Sequence, residues 1–94
     1  MTVQVVFNDT DNAEGDEFEV EGNFDLQITT TGQGVIQLLR RLGNGSEVPQ
    51  FNPCREYTGP TNDIVANVGL NTFKIVLSKV KDTTSDKIVV INQA

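Results

Sequence analysis

Few residues of this chain have the chemistry of a reactive or ligand-binding site, and most of those that do are carboxylates. Asp9, Asp11 and Asp16 fall in the stretch Asp9-Thr10-Asp11-Asn12-Ala13-Glu14-Gly15-Asp16-Glu17. Hard cations want several oxygen ligands within such a short loop. The helix-loop-helix calcium pattern fails here, because counting from Asp9 puts Ala13 at the third acidic position and Glu14 where Gly belongs. A looser calcium site on Asp9, Asp11 and Asp16 is one expectation, and a solvated acidic loop is the other. The chain has no His, which removes the commonest general base and metal ligand. Cys54 is the only cysteine, so no intrachain disulfide can form; without a His to activate it, it reads as a small half-buried residue. Arg55, Glu56 and Tyr57 could contribute to a carbohydrate platform, yet sugar sites favour Trp or several Tyr, and this chain has one Tyr and no Trp. No glycine pattern opens a helix as a nucleotide cradle. No catalytic residue and no cofactor can be nominated, so the expectation is a protein that is not an enzyme.

The charge balance is uneven. The formal net charge is −6, and no Lys or Arg occurs before Arg40. Asp9, Asp11, Glu14, Asp16, Glu17, Glu19, Glu21 and Asp25 make the first quarter strongly acidic, while the remainder is mildly basic. Such asymmetry either steers subunits together or serves solvation. Overall acidity argues against a nucleic-acid partner, which needs a concentrated basic face. The opening Met1-Thr2-Val3-Gln4-Val5 has no basic start, and no long apolar stretch follows. The expectation is therefore no signal peptide, no membrane span, and synthesis in a cytoplasm.

The elements that must carry these residues read as strands. Val3, Val5 and Phe7 alternate with Gln4 and Val6; Phe18 and Val20 alternate with glutamates; Phe24, Leu26 and Ile28 alternate with polar residues. Ile64, Ala66 and Val68 follow, then Phe73, Ile75 and Leu77. This period of two describes strands with one face in a core. Val80 breaks the phase of its predecessors, which predicts a bulge or strand end near Ser78-Lys79. Ile88-Val89-Val90-Ile91 is apolar on both faces, so it should be covered on both sides or buried against a partner subunit. Turn residues (Asn8 to Asn12, Glu21 to Asn23, Gly32 to Gly34, Gly43 to Gly45, Gly59 to Asn62, Asp82 to Asp86) separate the runs.

Gly34 to Val48 is the ambiguous stretch. Val35, Leu38, Leu39 and Leu42 also fit helical spacing, with Gly43 placed as a C-cap. Eight residues between glycines are marginal for a helix and natural for a strand, so the strand is favoured, with Asn44-Gly45 supplying hairpin chemistry. Ile36, Leu38, Arg40 and Leu42 then share a face, which sets a charge among apolar residues. Arg40 should meet a carboxylate or lie at a subunit contact.

Together these patterns predict an all-β chain. One antiparallel β-sandwich or jelly-roll-like domain of about seven to nine short strands would occupy residues 1–94, with 1–23 as an acidic arm or as edge strands.

Leu38-Leu39-Arg40-Arg41-Leu42-Gly43-Asn44-Gly45-Ser46-Glu47-Val48 resembles a recurring element of small β-sandwich structural proteins of bacteriophage particles. There an apolar strand carrying Leu-x-Arg leads into a Gly/Asp/Asn turn and a Trp-Val-Pro-like return. Leu38 and Arg40 match the first, Gly43-Asn44-Gly45 the second and Val48-Pro49 the third, although the Trp is absent and Arg41-Leu42 replaces a small polar residue. Thr72-Phe73-Lys74-Ile75-Val76, the turn Asp82 to Asp86 and Ile88 to Ile91 are similar to a second landmark of those proteins. The resemblance implies a virion component on the capsid surface: a decoration or cement protein that binds the major capsid protein or other virion proteins. It also implies a homo-oligomer, such as a trimer. A head fibre or a head-tail or tail adaptor is the alternative within that class, and a carbohydrate- or receptor-binding sandwich is the alternative outside it. The interface candidates are Arg40, Ile88, Val89, Val90 and Ile91.

Overall fold

The structure, a computed structural model, describes residues 2–42 and 50–93. Its elements are the strands β1 (Thr2–Asp9), β2 (Ala13–Glu14), β3 (Phe18–Glu21), β4 (Phe24–Ile28), β5 (Val35–Leu42), β6 (Gln50–Tyr57), β7 (Thr61–Val65), β8 (Leu70–Ser78) and β9 (Lys87–Gln93). Among the described residues there is no helix, so none is long and apolar enough to cross a membrane. Sheet A has the order β1-β9-β4-β7; sheet B runs β2-β8-β5-β6, with β3 also paired to β8. All pairings are antiparallel. The two sheets pack face to face, giving the β-sandwich that the alternation predicts.

The core follows from that alternation. Phe18, Val20, Phe24, Leu26, Ile28, Ile36, Leu38, Phe73, Ile75, Leu77, Val89 and Ile91 are buried between the sheets. Phe73 stacks on Phe18 at 6.0 Å and meets the edge of Phe24 at 5.3 Å, geometries that aromatic rings prefer. Val35 to Leu42 is a strand: pairing with both β8 and β6 puts Ile36 and Leu38 inside, which a lone short helix could not match. The expected turn Gly43-Asn44-Gly45 and the return at Val48-Pro49 lie outside the described residues.

Residues 2–23 are not a detached arm. β1 pairs with β9 along the edge of sheet A, and β2 and β3 line one edge of sheet B through β8. The irregularity expected near Ser78 is a strand end, where Lys79 takes a positive φ of 58° and Val80 then packs against the core.

Two phase readings are corrected. The register slips between Val5 and Phe7, so Phe7 is buried while Val3 and Val5 point outward at 63% and 59% exposure. Val65, rather than Ile64, is opposite Phe24, and β7 ends there; Ile64 and Val68 are 72% and 94% exposed. Asn67 turns inward instead. Its side-chain amide donates to the carbonyls of Val20 (3.1 Å) and Gly22 (2.9 Å), and its oxygen accepts from Asn71 (2.7 Å), so burial leaves it satisfied.

The antiparallel order gathers the connections at two ends. The upper end carries the β1–β2, β4–β5, β6–β7 and β8–β9 links. The lower end carries the start of β1, the β3–β4 turn, the β7–β8 link and the finish of β9. Lys87 locks the upper end. Its aliphatic stem is buried, and Nζ donates to the carbonyls of Thr10 (2.7 Å), Ser85 (2.7 Å) and Asp82, which uses all three ammonium donors. Gly32 lies against that stem with a φ of +60°, and a Cβ there would overlap Lys87 Cε. The Gly32 carbonyl accepts from the amides of Lys81 and Asp82, each at 3.0 Å. The Thr84 hydroxyl and amide bond the Asp82 carboxylate and hold its pKa below the usual range.

Candidate interaction surface

Three surfaces present side chains to a partner, and each is fixed by strand register. The first is the outer face of sheet A. One row across it runs Val3, Asn92, Asp25, Ile64, and the next runs Val5, Val90, Gln27, Asn62. Ile88 and Val90 are half-buried on this outer side, while Val89 and Ile91 point into the core. The described chain covers the outer half of the Ile88–Ile91 run only in part. A shallow groove of about 430 Å³ crosses the face, lined among others by Asp25, Ile64, Val90 and Asn92. Asn92 Oδ1 is buried there with no hydrogen-bond partner among the described residues.

The second surface is the lower end. Val68 and Leu70 flank Gly69, with Leu70 61% exposed. They are tied to the first surface by a chain of hydrogen bonds: the Gly22 amide donates to the Gly69 carbonyl (3.0 Å), and Gln93 Nε2 donates to the Glu21 carbonyl (2.7 Å). Gln93 in turn pairs with Thr2, next to Val3. Val3, Val5, Ile64, Val68 and Leu70 are five of the six large apolar residues exposed among the described residues: Val3, Val5 and Ile64 lie on the outer face of sheet A, with Asn92 and Asp25 between Val3 and Ile64, while Val68 lies at the lower end and Leu70 has the outward parity of β8 on sheet B. Leu42, the sixth, lies beyond the last β5–β8 pair, Arg40 with Phe73, which points it toward the same end.

The third surface is the outside of sheet B. Lys74 on β8 ion-pairs with Glu14 on β2 and places Nζ 4.4 Å from the centre of the Phe51 ring on β6. Glu19 and Glu21 project from β3 at one edge, and Arg41 from β5 toward the other.

The interface candidates separate accordingly. Val89 and Ile91 are removed as interface residues, because they are interior to their own chain. Ile88 and Val90 remain accessible. Arg40 is exposed on the core-parity side of β5, opposite Phe73 and Asn52, past the part of the sheet that sheet A covers. Among the described residues its side chain is in neither ion pair: these join Arg55 to Asp63 (3.8 Å) and Lys74 to Glu14.

The remaining candidates do not assemble. Asp9 and Asp16 line a groove of about 340 Å³ with Glu14, but Asp11 is not part of that lining. Asp9 and Asp11 instead accept from the Thr10 and Asn12 amides at 2.8 and 2.7 Å. No cluster of three metal-ligating side chains exists among the described residues. The carbohydrate platform is also corrected. Tyr57 is buried and its hydroxyl donates to Asp63 Oδ2 at 2.7 Å, while Glu56 faces the opposite side of β6, 3.5 Å from Gln37 Nε2. A ring held inside the sandwich cannot serve as a stacking surface. Burial, reinforced by the Asp63 bond, pushes the Tyr57 phenol well above its ordinary value. Cys54 is exposed on β6 rather than half-buried, yet partial desolvation raises its thiol, whose Sγ donates to the Leu38 carbonyl at 3.3 Å, against the lowering effect of Arg55 and Arg40.

Sequence reasoning missed Val68, Leu70 and Ile64 as surface residues. The available signal was local: Val68-Gly69-Leu70 sets two large apolar residues around a glycine, in a link too short to bury them. Comparison with family models, with curated proteins and with solved structures gave no match.

Proposed function

We propose that this chain is a non-enzymatic structural protein of a bacteriophage particle, a decoration or cement protein that docks on the major capsid shell and bridges neighbouring subunits. The observation that carries the reading is the exposure of Val3, Val5 and Ile64 on the outer face of sheet A, with Val68 and Leu70 exposed at the lower end of the sandwich. Large apolar residues gathered on one part of an exposed surface mark interaction sites. Here the polar residues Asp25, Gln27, Asn62 and Asn92 are interspersed with them on the face of sheet A. Burying such a surface across a subunit seam would stabilise the shell, because a ligand that binds only the assembled state shifts the equilibrium toward it.

The sequence resemblance of Leu38 to Val48, Thr72 to Val76 and Ile88 to Ile91 to phage structural proteins supports the virion setting. The absence of His and the upward-shifted Tyr57 and Cys54 support a role without catalysis, since neither the phenolate nor the thiolate is favoured near neutral pH. The test is co-sedimentation of the purified chain with heads assembled from the capsid protein encoded beside it. Saturable binding that Val68→Asp and Leu70→Asp weaken at least about tenfold supports the reading. Binding to tails or necks alone would move the chain to the adaptor alternative, and no binding to any virion part would overturn it.

A further inference from the structure

We propose that β1 is a docking edge for a partner protein: an extended segment of that partner, with apolar residues alternating with lysines or arginines, adds to sheet A as a new strand beside β1. This goes beyond the shell contact and is tested with peptides on the purified chain, so either reading can fail alone.

A sheet edge leaves a row of backbone N–H and C=O groups unpaired, and proteins blunt such edges against stray pairing. Three of the four edges here are blunted. β6 carries Pro53 and a register slip beside Cys54. β7 is five residues long, follows Pro60 and turns the Asp63 carboxylate inward to the Tyr57 hydroxyl. The edge made by β2 and β3 is broken into strands of two and four residues and carries Glu14, Glu19 and Glu21. β1 differs. It has eight residues, with neither Pro nor charge from Thr2 to Asn8, and among the described residues it pairs with β9 alone. Thr2 to Val5, ahead of the slip at Val6, are all exposed. Backbone added there completes a ladder, and the outward side chains of the added strand would lie over Val3 and Val5.

Charge selects the occupant. A groove of about 340 Å³ is lined by Val5 to Asp9 and by Glu14 to Asp16. The two stretches meet because the Gly15 amide donates to the Ile75 carbonyl (2.8 Å) and Gly15 lies against the Phe7 ring, which an added Cβ would approach to 2.9 Å. Among the described residues no Lys or Arg lines this groove, and the chain has none before Arg40. Glu14 is engaged by Lys74, whereas Asp9 and Asp16 are in neither ion pair among the described residues. Lys79 and Lys81 flank Val80, whose amide donates to Asn12 in the β1–β2 turn, and neither lines the groove. The carboxylates do not converge as a metal cluster would. Spread beside an open strand edge, they match separate cations carried on one face of an added strand, where every second side chain points the same way. A second copy fits less well. Pairing β1 with β1 would bring two acidic β2–β3 stretches to one seam, and residues 2–23 hold no basic side chain to offset them.

The probe is a fluorescein-labelled peptide, Lys-Val-Lys-Val-Lys-Val-Lys, titrated with the full chain by fluorescence anisotropy in reductant at about 0.1 M salt. Saturable binding is expected, with slowed amide exchange at Thr2 to Val5. The same peptide N-methylated at every backbone nitrogen keeps its charge but cannot complete the ladder, and should bind at least about tenfold more weakly. Asp9→Asn/Asp16→Asn, shown to be folded by circular dichroism, should weaken binding about three- to tenfold, the scale of two exposed ion pairs. Asp25→Asn, on the sheet A face beyond β9, should leave it unchanged. Absence of saturable binding overturns the proposal. Equal binding of the N-methylated peptide also overturns it, by showing charge attraction alone, as does binding that the Asp9/Asp16 variant leaves intact. A chain that sediments as a dimer with its Thr2 to Val5 amides already protected would give the edge to a second copy, and that too overturns it. Should the double variant fail to fold, the N-methylated peptide and the exchange pattern still decide the matter.

Discussion

The Lys87 ammonium donates a 2.7 Å hydrogen bond to the carbonyl of Thr10, 77 positions earlier in the chain. With the Asp82 and Ser85 carbonyls as its other acceptors, this one side chain joins β9 to the β1–β2 turn and to its own preceding loop. The ammonium is fully buried yet fully bonded, the condition under which a buried cation is tolerated. Replacing it leaves three carbonyls without a donor. Lys87→Met is expected to lose about 3 kcal/mol in urea denaturation, since unsatisfied buried acceptors cost roughly 1–3 kcal/mol each and part of that is recovered by water. A loss under about 1 kcal/mol would show that the loops do not depend on the ammonium.

Gly32 closes the same arrangement from the β4–β5 side. Its φ of +60° is poorly suited to a residue with a Cβ, and the added carbon would overlap the Lys87 stem. Gly32→Ala is expected to destabilise by about 2 kcal/mol or more, from the backbone conformation and the steric displacement together. Gly59→Ala, where an added Cβ meets nothing within 4 Å, is the control and should be near neutral.

Tyr57 and Asp63 tie the edge strand of sheet B to the edge strand of sheet A. Burial and the Asp63 bond raise the phenol above its ordinary 10.0, so the folded chain holds that proton more tightly than the unfolded chain. The resulting stabilisation is present in full below pH 10.0 and is lost as pH rises toward the folded value. Thermal melts from about pH 9 to pH 11 should therefore show a steeper fall for the native chain than for Tyr57→Phe. Tyr57→Phe itself should cost about 1 kcal/mol at neutral pH, the usual loss of one such bond. Equal slopes for the two proteins would contradict this account of the Tyr57 phenol.

Cys54 offers a complementary check on the bulge in β6. The residue is exposed, but its thiol is raised by partial desolvation and bonded to the Leu38 carbonyl, so its thiolate fraction near neutral pH is below that of a free cysteine. Alkylation of the folded chain at neutral pH should be slower than that of a cysteine in a short peptide, and unfolding in urea should remove the difference. Faster alkylation in the folded state would mean that Arg55 and Arg40 outweigh burial.

Much of the sandwich was legible because period-two alternation and packing agree wherever a strand is regular. Phe18 and Val20, Phe24 to Ile28, and Phe73 to Leu77 lie in the core as their spacing predicts. Failures occur where a distant group sets the phase. The slip at Val6 leaves no compositional trace, so Val3, Val5 and Phe7 look equivalent in sequence and are not. Asn67 displaces an apolar residue from the inward position because the carbonyls that satisfy it, Val20 and Gly22, are 47 and 45 residues away. Lys87 is buried because the Thr10 carbonyl, 77 positions away, joins the nearby carbonyls of Asp82 and Ser85 as its acceptors. The interaction surface was half legible. The two-faced run Ile88 to Ile91 pointed to sheet A, and register then assigned Ile88 and Val90 outward and Val89 and Ile91 inward. Val68 and Leu70 became visible only when the fold brought the β7–β8 link beside the start of β1.

The central claim is that this chain works on the outside of a virion. It is tested most directly by imaging phage particles produced with and without the gene. The account predicts a copy-numbered density on the capsid surface that is lost with the gene, contacting the shell through the Val68–Leu70 end. Shells that lack it should open at lower temperature. Particles identical in density and stability with or without the gene would contradict it.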